Sequence, residues 1–402
     1  MRQFLLANEK GDALVRQSLK PRTRPLIIWH SPLMSTAPDG GVNHSVARLA
    51  RASAQQGVRV VVLSPHQDAD VRITNNTEVP TLFEARLPLV AGRFPAHALE
   101  AVAKELPPSL VHIHSAFQFH NSWVARWAGS VGVPYAVHHR GALAAPLLER
   151  RWVRKRIYLA AVERSVLGRA ALALGNTQGD VEDLMRVVPG FPGRTAVVPN
   201  PVVDDGDLEV LKELDPSVDS RQPTQPYSLI YLGRWDVVHK GLDRLAAVAA
   251  SAPDVTIDIH TALRPKKELR LARRLIDSLP PNMSVCEPVV KRDKWRKLAA
   301  ADAYVHLARW ESFGVAVVEG AAAGLPLVLT PEMHLAIELE QAGAAIIVDG
   351  DDPDHVRGRL FELLEDDEAL MRMREAGRHF AREHCHEDRV ALEMISAYRS
   401  VL

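Results

Sequence analysis

Cysteine is scarce: the 402 residues hold two, Cys286 and Cys385, whose separation matches no zinc or redox spacing. A reducing cytosol is the simplest setting for such a chain. An excess of either charge is missing as well, because Lys plus Arg and Asp plus Glu each number 49. Without a basic surplus nothing points to nucleic acid or another polyanion as partner. No run approaches the roughly 18–20 apolar residues of a membrane span. The opening MRQFLLANEKGDALVRQSLK lacks the apolar core of a signal peptide and reads as a short amphipathic extension. Also lacking are a G-x-G-x-x-G after a strand, a G-K-[ST] phosphate loop and a G-x-S-x-G elbow. Dehydrogenase, P-loop and serine-hydrolase readings therefore find no support. No short-period repeat or low-complexity tract is visible.

What is there is an ordinary soluble composition, 47% hydrophobic and 24% charged, at a length comfortable for two domains. Strand-like and helical patterns alternate, which argues an α/β fold with parallel sheets. Strands are expected at 26–30, 58–63, 108–114, 133–138, 170–175 and 195–198. A helix is expected at 42–56, another around 123–130 and a long one over 147–168. Residues 204–226 turn acidic and then proline-rich, and the latter part reads as the exposed connection between domains. A second series follows at 227–232, 255–260, 283–285, 303–307, 327–330 and 344–348, then three helices. The expected layout is a domain over 1–203, a linker over 204–226 and a second domain over 227–385.

One stretch, AYVHLARWESFGVAVVEGAAAGLPLVLTPE at 303–332, reads as strand, loop, helix and strand. Loops at the carboxyl ends of parallel strands hold ligands. Glu311 lies in the loop, and Glu319 interrupts an apolar helix whose opening amides, at Phe313, Gly314 and Val315, make an anion site. Two carboxylates beside an anion site imply a phosphorylated ligand whose hydroxyls the acids grip. A second motif, YLGRWDVVHKGL at 231–242, places Arg234 and Lys240 after another strand, where two cations can face a diphosphate. Two surface basic residues flanking a turn is the plainer reading of that pair taken alone.

GRWDVVHKG together with ESFGVAVVEGAAAGLPLVLT resembles the carboxyl-terminal domain of the family 4 retaining glycosyltransferases. Those enzymes have the GT-B fold, two Rossmann-like domains facing each other across a cleft. They carry two glutamates with seven residues between, as Glu311 and Glu319 have. The likeness extends to Gly40-Gly41 and GVRVVVLS, to SLVHIHS, to HHRGAL and to RTAVVPNPV, about residues 26–400 in all.

The resemblance implies a nucleotide-sugar donor, a hydroxyl acceptor and neither cofactor nor metal. Arg234 and Lys240 would hold the diphosphate and stabilise it as it departs. Glu319 would take the ribose hydroxyls, and Glu311 would orient the sugar rather than attack it. Ser312, Phe313, Gly314 and Val315 would contact sugar and phosphate, and Gly40 and Gly41 would admit the diphosphate or acceptor closely. Val289 and Val290 would present main chain to the base. Many relatives carry histidine where Arg140 stands, so Arg140 would contact sugar or diphosphate, with His139 as the fallback. His260-Thr261 stands where a glycine is usual, which implies a differently shaped loop. The last helix, about 386–402, would return to the first domain. Acceptor specificity would lie in first-domain loops at roughly 64–97 and 115–122. A front-face displacement, the leaving phosphate helping to deprotonate the acceptor, is the mechanism implied.

Other features have plainer readings. His112, His114, His120, His138 and His139 fit alternating strand positions and a loop better than a metal cluster. The Asp-x-Asp triplets at 68–70, 205–207 and 349–351 read as solvated turns, and HCH at 384–386 as a cap. ERRWVRKRIYLAAVERSVLGR reads as a helix packed on its sheet with a solvated basic face, rather than an interfacial membrane helix. The competing functions are a GT-B epimerase or phosphorylase, and a non-catalytic subunit that binds nucleotide-sugar. Donor, acceptor, linkage and oligomeric state stay open at this level.

Overall fold

The computed structural model describes residues 25–31, 41–66, 70–149, 152–214, 226–261 and 275–402. Runs rich in Val, Ile and Leu form two sheets, as their two-sided burial demands. The first contains β1 (Ile27–Ser31), β2 (Arg59–His66), β3 (Arg72–Asn75), β4 (Leu82–Pro88), β5 (Leu110–His114), β6 (Tyr135–His138), β7 (Leu172–Gly175) and β8 (Arg194–Val197). Their order is β3-β4-β2-β1-β5-β6-β7-β8, parallel except for the β3–β4 pair. The second contains β9 (Tyr227–Leu232), β10 (Val255–His260), β11 (Met283–Cys286), β12 (Ala303–His306), β13 (Leu327–Leu329) and β14 (Ala345–Ile347). Its order is β11-β10-β9-β12-β13-β14, all parallel. Chain order reverses between β1 and β5 and again between β9 and β12. These are the switch points where a doubly wound sheet opens a crevice at its carboxyl edge.

Helices cover both faces of each sheet. Stacked Trp29 and Trp127, 5.1 Å apart, sit in one core layer of the first sheet. The other layer is closed by the last helix, Glu387–Arg399. Its Val390, Met394, Ile395 and Tyr398 pack with Ile28, Leu49, Val60, Ala136 and Leu172. The chain thus crosses between the sheets twice, and the crossings are paired: Val202 N donates to Cys385 O at 2.8 Å and Glu387 N to Val203 O at 2.9 Å.

Four expectations need correction. The stretch 64–97 is not a loop throughout, because β3 and β4 form a short antiparallel edge there; the alternation of 82–88 was masked by its charged residues. The second expected acceptor loop ends early, since a helix already begins at Phe119. The long helix over 147–168 is interrupted: helices Ala145–Glu149, Trp152–Tyr158 and Arg164–Gly168 flank a π-helical turn at Leu159–Glu163. That bulge carries Glu163, 5% exposed, inward. Leu159, Val166 and Leu167 anchor the segment in the core. Within 204–226, Asp204 and Asp207 form a capping box that starts a helix, Asp205–Glu213. Its Leu208, Val210 and Leu211 pack on the second core. Residues 215–225 lie outside the described residues. Among the described residues no helix is long and apolar enough to cross a membrane.

Candidate functional site

Adjacent parallel strands deliver their following loops to one edge, so β9 and β12 bring 233–240 beside 307–314. Gly241 makes the closeness possible. Its φ of +66° is left-handed, and a Cβ there would lie 1.9 Å from the Leu307 carbonyl oxygen. The loop after β12 is pinned from both sides: Arg309 N donates to His239 O at 3.0 Å, and His334 N to Glu311 O at 2.9 Å. Gly314, φ +71°, then caps the helix Val315–Ala322. The helix thus points its amino terminus at the edge, where its free amides favour an anion.

Lys240, 8% exposed, is ion-paired with Glu311, whose carboxylate also lies 3.6 Å from His306 Nε2. Burial opposes ionisation of Glu311, yet the Lys240 ammonium and His306 outweigh it and hold the carboxyl well below its usual range. Burial likewise keeps His306 neutral, its pKa lowered despite the facing carboxylate. Glu311 is therefore a permanent anion, suited to accepting hydroxyl hydrogen bonds and unsuited to donating a proton. Lys240 has three donors, of which Glu311 occupies one. Arg234 is exposed at the same edge and has no ion pair among the described residues.

Glu319 accepts from Lys294 Nζ at 2.7 Å, both side chains 14% exposed. Lys294 also lies 4.0 Å over the Trp295 ring, which fixes its direction. Val289 and Val290 lead into Lys294's helix, Lys291–Ala299, and Val290 is 66% exposed. Ser312 and Phe313 are buried, and Gly314 and Val315 partly so. Ser312 does not face the open edge: its hydroxyl donates to both Asp180 oxygens, at 2.7 and 2.9 Å. Asp180 belongs to the first domain, so this bond joins the two. Gly141 abuts the same point, since a Cβ there would come within 2.7 Å of Ser312 Cβ and 2.9 Å of Trp310.

Arg140 rises from the loop after β6 with φ +50°, a strained value for a non-glycine residue. Its guanidinium donates to Asn200 Oδ1 at 2.5 Å and to His114 Nδ1 at 3.1 Å. Because arginine only donates, His114 must carry its proton on Nε2, from which it donates to His30 Nδ1 at 2.8 Å. Burial lowers Arg140 to about 10, so it stays charged. His139 is turned inward: its Nε2 donates to the Asp180 carbonyl at 2.7 Å, and it is 1% exposed. Its Nδ1 has no partner among the described residues. Gly41 opens the helix Gly41–Gln55, and Gly40 lies outside the described residues.

Sequence reasoning missed Lys294, His306, Asn200, Asp180 and His334. Lys294 is hidden in a run of basic residues, and Asp180 passes for a helix-start acid. Among the described residues, three groups have donor atoms within 4.8 Å of one another: His30, His112 and His114; Asp180, Asp183 and His334; Asp258, His260 and Cys286. The first has no carboxylate and stands against Arg140, so a divalent cation there would face unopposed positive charge. In the second, Ser312 and the Asn176 amide occupy Asp180.

Two family profiles cover most of the chain. The one described as Glycosyl transferase 4-like domain matches residues 40–201, and the one described as Glycosyl transferases group 1 matches 217–380. A D-inositol 3-phosphate glycosyltransferase of Corynebacterium glutamicum is 24% identical, over 88% of this chain and 90% of its own. One of the same name from Mycobacterium sp. is 27% identical, over 87% and 84%. Sucrose-phosphate synthase from Thermosynechococcus elongatus superimposes with a TM-score of 0.73 at 18% identity, covering 94% of this chain and 99% of its own. Anabaena HepE, solved with UDP and glucose, gives 0.68 at 15% identity, covering 94% and 100%. With both domains matched in order, and two doubly wound sheets meeting at their carboxyl edges, the chain belongs to the family 4 retaining glycosyltransferases of group 1, enzymes with the GT-B fold.

Proposed function

We propose that the second domain's edge binds the donor's diphosphate between Arg234, Lys240 and the amino terminus of Val315–Ala322. The single observation that carries this is the Lys240–Glu311 pair, a buried cation with donors to spare beside a permanent anion. Lys240 and Arg234 counter charge on the departing nucleoside diphosphate, which is where electrostatic stabilisation has most effect. Glu311 accepts from donor-sugar hydroxyls, and Glu319 from the ribose hydroxyls. Val289 and Val290 offer main chain to the base. Arg140, held by Asn200 and His114, approaches the sugar or diphosphate from the first domain. Glu311 and Glu319 are each paired with a lysine, and retention through front-face displacement, the leaving phosphate taking the acceptor proton, is the mechanism the family resemblance implies. The two cations occupy the role a metal would have, so added Mg²⁺ or Mn²⁺ leaves the rate unchanged. We place the reaction in the cytosol, in keeping with two free thiols.

For the acceptor, the likeness to D-inositol 3-phosphate glycosyltransferases favours a small phosphorylated polyol over a glycan chain, and D-inositol 3-phosphate is the first to assay. Incubation with a panel of nucleotide-sugars tests the reading. Donor should be consumed only when acceptor is present, giving a product with the donor's anomeric configuration. Consumption without acceptor would instead indicate an epimerase, and failure to bind any nucleotide a non-catalytic subunit.

A further inference from the structure

Asp258 and His260 project from the same face of β10, two residues apart, and His260 is paired in register with Cys286 of edge strand β11. A carboxylate oxygen, an imidazole nitrogen and the Cys286 sulfur lie within 4.8 Å of one another. His260 Nδ1 donates to the Glu287 carbonyl at 2.8 Å. A carbonyl can only accept, so the proton is fixed on Nδ1 and the lone pair on Nε2. That nitrogen is buried, His260 being 5% exposed, and it has no hydrogen-bond partner among the described residues. An imidazole with one nitrogen anchored to a backbone carbonyl and the other bare has the tautomer and orientation of a metal ligand.

We propose that Asp258, His260 and Cys286 form a site for a thiophilic divalent cation of the zinc type. The donor set is right in kind, one sulfur, one nitrogen and one oxygen. Tetrahedral zinc would set these atoms roughly 3.3–3.6 Å apart, within reach of small side-chain rotations. Charge also balances. Binding transfers the thiol proton to solvent, and the thiolate and Asp258 carboxylate together neutralise the cation. Cys286 and Asp258 are partly exposed, which gives the ion a way in and leaves water as fourth ligand. The bound ion would tie β10 to edge strand β11 just before the turn at Val289 and Val290.

Titration of the purified, chelator-treated full chain with Co²⁺ and Zn²⁺ tests this. The expected result is one Co²⁺ per chain with a thiolate-to-cobalt charge-transfer band, bleached by Zn²⁺. That band should vanish in Cys286→Ser and weaken at least tenfold in affinity in His260→Gln and Asp258→Asn. Circular dichroism checks that each variant folds, and the wild-type Tm should rise with Zn²⁺ while that of Cys286→Ser does not. Cobalt bound without a thiolate band would place the ion elsewhere in the molecule and overturn the proposal. So would a band that survives Cys286→Ser, or no binding at all.

Discussion

Replacing Lys240 by alanine separates its two roles. Under the proposed mechanism it removes one charge-assisted contact to a leaving diphosphate, and comparable deletions cost about 10²–10³ in kcat, or 2.7–4 kcal/mol. In the fold it strands Glu311 beside a neutral His306. Breaking a buried ion pair costs about 3–5 kcal/mol; with side chains 10% and 15% exposed, the low end applies. The pH dependence should change sign as well. Glu311's depressed pKa gives stability that is complete above the ordinary carboxylate range and lost only as pH falls through the lower folded value. Without Lys240, burial dominates, the carboxyl's pKa rises, and Lys240→Ala should gain stability as pH falls from about 7 to 5. The double variant Lys240→Met/Glu311→Gln removes both charges, so it should recover stability to within about 1 kcal/mol of wild type while staying inactive. Urea unfolding at the two pH values and steady-state kinetics measure all of this. A kcat within tenfold of wild type in Lys240→Ala would refute the phosphate assignment, and restored turnover in the double variant would refute the division of roles.

Glu319→Gln should weaken binding of free nucleoside diphosphate about tenfold, the effect of losing one charged hydrogen bond. Calorimetric titration measures it, and an unchanged Kd removes the ribose role. Glu163 is raised to about 7 by burial, so its contribution is complete below the unfolded value and lost as pH rises through 7. Glu163→Gln should therefore flatten the fall in Tm between pH 5 and 8; from 4.5 to about 7 the linkage amounts to at most about 3 kcal/mol. Gly241→Ala meets both a left-handed φ and the Leu307 carbonyl, and should lose more than about 1 kcal/mol in denaturant unfolding together with most activity.

The parallel sheets were legible because strands buried on both faces spell continuous apolar runs, as in Leu172–Gly175 and Leu327–Leu329. β3 and β4 were not, because an edge pair such as RITN and LFEARLP is half exposed and its charges break the pattern. The π turn at Leu159–Glu163 has no sequence signature at all. Within the site, Glu311, Glu319, Arg234 and Lys240 stand out because charge follows strand ends and interrupts apolar runs. Their partners come from elsewhere in the chain: Lys294 is 25 residues from Glu319, and Asp180 is 132 from Ser312. The Asp258, His260 and Cys286 grouping shows the same limit. Metal spacings read along one segment miss ligands contributed by neighbouring parallel strands.

Pairings across the cleft bear on how the domains meet. Ser312, in the loop that carries Glu311, spends its hydroxyl on Asp180 of the first domain, and His334 stands 3.6 Å from the same carboxylate. Gly141, next to Arg140, packs on Ser312 and Trp310. The Gly141–Ser312 contact is therefore one residue from Arg140 on one side and one residue from Glu311 on the other. Domain approach and assembly of the sugar-facing groups cannot be independent, because the same loops do both. Under the proposed roles, substrate-driven closure would complete the catalytic set as it excludes water. Opening the Ser312–Asp180 contact would draw Arg140 away from Lys240 and Glu311 before it disturbed either domain's core.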